Sequence, residues 1–127
     1  PTSPVVSECT GDDSLEENDS LEDSYPIGSG ADLTLALCPA DEDWFLFRGR
    51  EGELWNIDMY LREFMGLMEL SVGTRVEFDE GNPRSWYFMM DGDQALEHTI
   101  LSDEPYYLRL RCNGCMETIR YQLTLSR

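Results

Sequence analysis

The chain has 127 residues, 41% of them hydrophobic, with three Trp, six Tyr and five Phe, which is the composition of one folded domain with a real core. Its formal net charge is −17 and its pI about 4.1, so no basic stripe exists to meet nucleic-acid phosphates or an anionic membrane surface. No run approaches the ~20 apolar residues a membrane-spanning helix needs, so membrane insertion is not expected.

The charge is unevenly spread. Twelve carboxylates, from Glu8 to Asp43, precede the first basic residue, Arg48; fourteen more share the remaining chain with nine arginines, and there is no lysine. The densest clusters are Asp12-Asp13-x-x-Glu16-Glu17-Asn18-Asp19 and Asp41-Glu42-Asp43. Both offer oxygen ligands alone, the set preferred by hard divalent cations, calcium above all. Two readings stand: a calcium site built from both clusters, or a solvated acidic flank. Residues 1–7 read as a linker or processed N-terminus. Residues 1–24 are expected to form an acidic segment packed on a β-sandwich domain spanning 25–127.

From residue 33 the chain reads as strands. Leu33 to Leu37 alternates in character, and Trp44 to Phe47 is a short apolar run. Trp55, Ile57, Met59 and Leu61 alternate with Asn56, Asp58 and Tyr60; Met68, Leu70 and Val72 alternate with Glu69 and Ser71. Gly66 makes a loop the better reading of Tyr60–Met68 than a helical turn. Val76 and Phe78 follow at the same period, then Trp86, Phe88 and Met90. Gln94–Leu101 also alternates, with His98 expected on a strand surface. Leu108, Leu110 and Cys112 oppose Arg109 and Arg111 in phase; Ile119, Tyr121, Leu123 and Leu125 oppose Arg120, Gln122 and Thr124. Such alternation puts one face on a core and one in water. Turn signals at Arg50-Glu51-Gly52, Glu80-Gly81-Asn82-Pro83 and Asp91-Gly92-Asp93 separate the runs. Eight or nine short strands so spaced predict an all-β, antiparallel, jelly-roll-like sandwich.

The four cysteines are Cys9, Cys38, Cys112 and Cys115. Asn113-Gly114 between two strand patterns is a hairpin signal, and cysteines flanking such a turn would face each other at about 5.5 Å, within disulfide reach. Cys112–Cys115 is thereby expected, and Cys9–Cys38 by exclusion. An even count in an acidic, strand-rich chain points to an exported protein. The rival is a four-cysteine zinc site, which normally takes two C-x-x-C knuckles where this chain has one.

No Gly-x-Ser-x-Gly elbow, phosphate-cradling Gly-rich loop or second distinctive catalytic element accompanies the lone His98, so no enzyme is expected. Trp44, Trp55 and Trp86 occupy core-like positions. Tyr60, Tyr87 and Tyr107 fall on the opposite phase from the inward-facing sets, and are expected to form a shared aromatic binding surface.

Five motifs in order carry a family resemblance: Glu17-Asn18-Asp19-Ser20, Asp41-x-Asp43-Trp44-Phe45-x-Phe47, Glu51-Gly52-Glu53-Leu54, Pro105-Tyr106-Tyr107-Leu108-Arg109-Leu110 and Tyr121-Gln122-Leu123-Thr124-Leu125. Over about residue 14 to the end the chain resembles the bacterial pre-peptidase C-terminal (PPC) domain, the family that includes the collagen-binding domains of clostridial collagenases. The resemblance implies a jelly-roll sandwich, secreted or at the cell surface, serving as a non-catalytic accessory module. It also implies a calcium ion held by Glu16, Asn18, Asp19, Asp43 and Asp41. The sequence departs from the family in lacking Pro after Glu16 and in having Ser14 where collagen-binding members carry an acidic residue. The partner would be an extracellular protein or polysaccharide. The alternative is a structural subunit of a surface, adhesin or filament assembly formed by self-association.

Overall fold

Alternation in β4 and β9 shows why this chain makes sheets. In the computed structural model, which describes residues 20–37, 42–62, 67–88, 92–113 and 119–127, Trp55, Ile57, Met59 and Leu61 of β4 (Leu54–Arg62) are 0–2% exposed. Tyr121, Leu123 and Leu125 of β9 (Ile119–Ser126) are equally buried, and Met59 stands opposite Leu123. The other strands are β1 (Tyr25–Pro26), β2 (Ala31–Leu37), β3 (Glu42–Arg48), β5 (Leu67–Thr74), β6 (Arg84–Phe88), β7 (Gly92–Thr99) and β8 (Pro105–Asn113). One sheet has the order β1-β3-β8-β5-β6 and the other β2-β9-β4-β7. The described residues therefore form an all-β sandwich of nine strands. Successive strands change sheet at every step except β5 to β6. All pairings are antiparallel apart from the two-residue β1, which runs parallel to β3.

The core lies between the sheets. Phe45, Phe47, Met68, Leu70, Val72, Leu108 and Leu110 come from the five-stranded sheet; Leu35, Leu37, Trp55, Ile57, Met59, Leu61, Leu123 and Leu125 from the four-stranded one. Each such burial of a Val, Leu, Ile, Phe or Met side chain stabilises by about 1.5–3 kcal/mol. Trp55 belongs to this core, Trp86 is half-buried against it, and Trp44, 6% exposed, is buried on the opposite, outer face of β3.

Three expectations change. Val76 and Phe78 lie in a helix, α1 (Arg75–Asp79), rather than a strand. The cause is a capping box: the Glu77 N–H donates to Thr74 Oγ1 at 3.3 Å and the Thr74 N–H to Glu77 Oε1 at 2.8 Å. His98 faces inward, 8% exposed, because it shares strand phase with Leu96, which packs on the core, and with buried Ile100. β8 and β9, expected to pair across Asn113-Gly114, lie in different sheets, β8 running through Asn113 opposite Leu67, while Gly114 lies outside the described residues. Among the described residues no helix is long and apolar enough to cross a membrane.

Candidate binding groove on the outer face of the five-stranded sheet

Two rungs of side chains cross β3, β8, β5 and β6 on the face away from the core. In one, Glu42 stands opposite Arg111, Arg111 opposite Glu69, and Glu69 opposite Tyr87. In the next, Trp44 stands opposite Arg109, Arg109 opposite Ser71, and Ser71 opposite Ser85. Strand phase turns these residues outward; α1 and the turn after it roof part of the face. Gly73 permits the roof to sit low, since a Cβ there would lie 3.1 Å from Glu77 Oε1 and 3.2 Å from Pro83 Cβ. Phe78 of α1 meets Trp44 with ring centroids 4.9 Å apart.

Glu69 is the organising charge, with a side chain only 6% exposed. It accepts hydrogen bonds from Arg111 Nε, from Arg109 Nη2 at 3.5 Å, from Ser71 Oγ at 3.3 Å and from the Tyr87 hydroxyl at 3.4 Å. Burial acts to raise the Glu69 pKa, but the Arg111 hydrogen bond and the two guanidinium charges outweigh it and hold the carboxyl below its ordinary range. Arg109, 14% exposed, lies between Trp44 and Phe78, its guanidinium 5.5 and 5.3 Å from the two ring centroids. Burial and then the charge of Arg111 lower its pKa, opposed by Glu69 and Glu42; a guanidinium nonetheless stays charged. Arg111 also pairs with Glu42 at 3.6 Å. Beside this network runs a groove of about 430 Å³, lined by Glu69, Phe78, Pro83, Tyr87, Arg109 and Arg111 among others. Tyr87, 58% exposed, stands on its rim.

The other outer face is different. Tyr60, Thr34 and Gln122 share a rung across β4, β9 and β2, around a depression of about 180 Å³ that Arg120 also lines. Asp32, Asp58, Asp93 and Glu97 are exposed there, and no ion pair involves them among the described residues. Tyr60 thus lies on the four-stranded sheet, while Tyr87 and Tyr107 lie on the five-stranded one. The shared tyrosine surface expected from sequence is therefore corrected to two separate faces, because β4 joins a different sheet from β6 and β8.

Of the expected metal ligands, Glu16, Asn18, Asp19 and Asp41 lie outside the described residues. Asp43 is fully buried on the inner face of β3, and its Oδ2 accepts a hydrogen bond of 2.6 Å from the Tyr121 hydroxyl of the opposite sheet. Among the described residues no group of three or more His, Cys, Asp or Glu side chains is arranged to hold a metal. Cys112 is disulfide-bonded, as expected of it, and its partner lies outside the described residues. Cys9, Cys38 and Cys115 lie outside the described residues.

Sequence reasoning turned Arg109 and Arg111 outward but missed Glu69 and Phe78 as parts of a site. Thr74-Arg75-Val76-Glu77, a capping-box pattern, was the signal that could have revealed the helix carrying Phe78.

Fold and groove together define an all-β sandwich with a roofed groove on the outer face of one sheet. The structure is similar to the pre-peptidase C-terminal domain of a Bacillus anthracis collagenase, with a TM-score of 0.61 and 18% identity over 81% of this chain and 94% of that one. The resemblance read from the motif order is thus matched in the fold. The structure is also similar to Aeromonas hydrophila PliG, a periplasmic inhibitor of g-type lysozyme, with a TM-score of 0.59 and 11% identity over 81% of this chain and 94% of that one. A third similarity, with a TM-score of 0.51 and 12% identity, is to part of a family GH115 4-O-methyl-α-glucuronidase, covering 74% of this chain but 14% of the enzyme. These likenesses concern the fold. No protein-family model and no curated protein matches the sequence.

Proposed function

We propose that this chain is a non-catalytic binding module, working outside the cytoplasm, that grips a protein partner through the groove on its five-stranded sheet. The observation that carries this reading is Tyr87. It is 58% exposed, yet its hydroxyl is tied to a carboxylate that two arginines hold in place. Tyrosine and arginine are both enriched at protein interfaces, and a ring already anchored loses little freedom on binding. The PPC and PliG likenesses support an accessory or inhibitory module over an enzyme. Fibrillar collagen and a g-type lysozyme are the first probes. Binding of either should be lost in Tyr87→Ala and kept in Tyr60→Ala; equal binding by Tyr87→Ala refutes the groove.

The proposal includes one calcium ion held by Asp43 with Glu16, Asn18, Asp19 and Asp41. An all-oxygen ligand set suits calcium, and the Tyr121 hydroxyl fixes the Asp43 carboxylate in orientation. The ion would tie the acidic segment to the sandwich. A self-assembling structural subunit is the competing reading, and size-exclusion chromatography with and without calcium separates the two.

A further inference from the structure

His98 is the chain's one histidine. It stands on β7, the edge of the four-stranded sheet, opposite Trp55 of β4. The ring is buried, and among the described residues neither of its nitrogens has a hydrogen-bond partner. A neutral imidazole carries one N–H and one acceptor nitrogen, so both polar atoms go unmatched in an apolar setting. From β8, Tyr106 meets the ring edge-on, with centroids 5.4 Å apart; its hydroxyl oxygen is engaged by the Leu101 N–H at 3.0 Å. From β6 comes the positive charge of Arg84, and from α1 the negative charge of Glu77. β4 presents Trp55, which carries no charge.

Arg84 does more than add charge. β6 is the edge of the five-stranded sheet, so β6 and β7 close the same side of the sandwich. The Arg84 guanidinium lies 4.7 Å from the Trp86 ring centroid and donates to the Glu97 carbonyl at 3.3 Å. That bond joins one sheet edge to the other, one residue away from His98.

We propose that the β6–β7 seam is an acid-released latch with His98 as its trigger. A proton arriving on the closed ring creates a second buried N–H and a charge beside Arg84, with Glu77 as the opposing charge. Opening the seam gives the imidazolium to water, so acid favours the open form. Burial first, then Arg84, hold the His98 pKa below the ordinary 6.5 against the pull of Glu77, as this geometry demands. The open state therefore binds more protons than the closed one below that value, and closure weakens as pH falls from about 6.5. Ser85 and Tyr87 also lie on β6, so opening loosens one wall of the groove; this coupling rests on reading the groove as a binding site.

The test is amide hydrogen exchange on the whole chain, corrected for intrinsic rates, at about pH 7.5 and about pH 5.5, either side of the ordinary histidine value. Protection over β6 and β7 should fall at the lower pH, by up to about tenfold, the ratio of protonated to neutral imidazole one unit below that value in the open form. His98→Phe should abolish the change. A single histidine also makes its imidazole NMR signals unambiguous, and in the folded wild type they should titrate below 6.5. An ordinary midpoint with unchanged β7 protection overturns the latch, as does an equal loss of protection in His98→Phe. Tyr87→Ala should keep the pH dependence of exchange over β7, on the other sheet, so failure of the groove and failure of the latch give different results.

Discussion

Replacing Glu69 by Leu tests whether the groove floor is held by charge or by packing. Glu69 and Arg109 have side chains 6% and 14% exposed, so deleting the carboxylate leaves a guanidinium largely out of water. Removing one partner of a buried pair costs about 3–5 kcal/mol, most of it the stranded charge. Arg111 should add little, because it is 37% exposed and keeps Glu42 at 3.6 Å. Ser71 retains Ser85 at 2.8 Å, and the exposed Tyr87 hydroxyl can turn to water. Arg109 keeps its Trp44 and Phe78 contacts, which places the expectation at the low end, about 3 kcal/mol. With a urea m-value near 1.5–2 kcal/mol/M, the unfolding midpoint should drop by roughly 1.5–2 M. Glu69→Leu with Arg109→Met should recover most of the loss, since replacing both partners by apolar groups of similar size is commonly near neutral. Urea denaturation followed by tryptophan fluorescence measures both variants. A single variant costing under about 1 kcal/mol, well below the cost of stranding a buried charge, or a double variant no more stable than the single, refutes the account.

Four further outcomes are expected. Because the folded Glu69 pKa is lowered, its contribution is present above the unfolded value of 4.5 and lost as pH falls through the folded one; acid titration should therefore cost the wild type more than Glu69→Leu below that value. Tyr121→Phe removes the 2.6 Å bond to buried Asp43 and should cost about 1.5–3 kcal/mol, read by thermal melting. Calcium at about 5–10 mM, chosen for the weak affinity of extracellular sites, should raise the melting temperature over EDTA, and Asp19→Ala with Asp43→Ala should abolish the response. Gly49→Ala would set a Cβ 2.6 Å from Trp55 Nε1 and 2.9 Å from Ile100 Cγ1, and should cost about 1–3 kcal/mol in urea denaturation.

Much of the sandwich was legible because period two is a local property. Leu108, Leu110 and Cys112 are buried and Arg109 and Arg111 turn outward, as their alternation dictates. The helix α1 was hidden by the same rule, since Val76 and Phe78 also fit period two and five residues are too few to display a helical repeat. The groove was hidden for another reason. Glu69 reaches Arg111 across 42 positions, a distance that strand register bridges and local pattern cannot.

The expected β8–β9 pairing and the expected tyrosine surface differ from the structure for one shared reason. Asn-Gly chemistry states which backbone conformations are easy, but not which sheet the next strand will join. Phase likewise states that Tyr60 and Tyr87 both point away from the core, but not that they point in opposite directions. In a chain whose strands mostly alternate between two sheets, that choice is made by long-range pairing: β4 between β9 and β7, β5 between β8 and β6. The consequence is chemical as well as topological. The face that gathered Arg109 and Arg111 neutralised Glu42 and Glu69 and gained a roofed groove. The face carrying Tyr60 kept exposed carboxylates on three of its four strands. Charge repulsion keeps a partner of like sign off that second face, whereas the neutralised groove can accept an apolar or polar chain without a long-range penalty. The two tyrosine faces should accordingly differ in salt dependence: binding through Tyr87 should weaken little with added salt, and binding through Tyr60 steeply. A steep salt dependence that disappears in Tyr60→Ala would move the binding site to the four-stranded sheet.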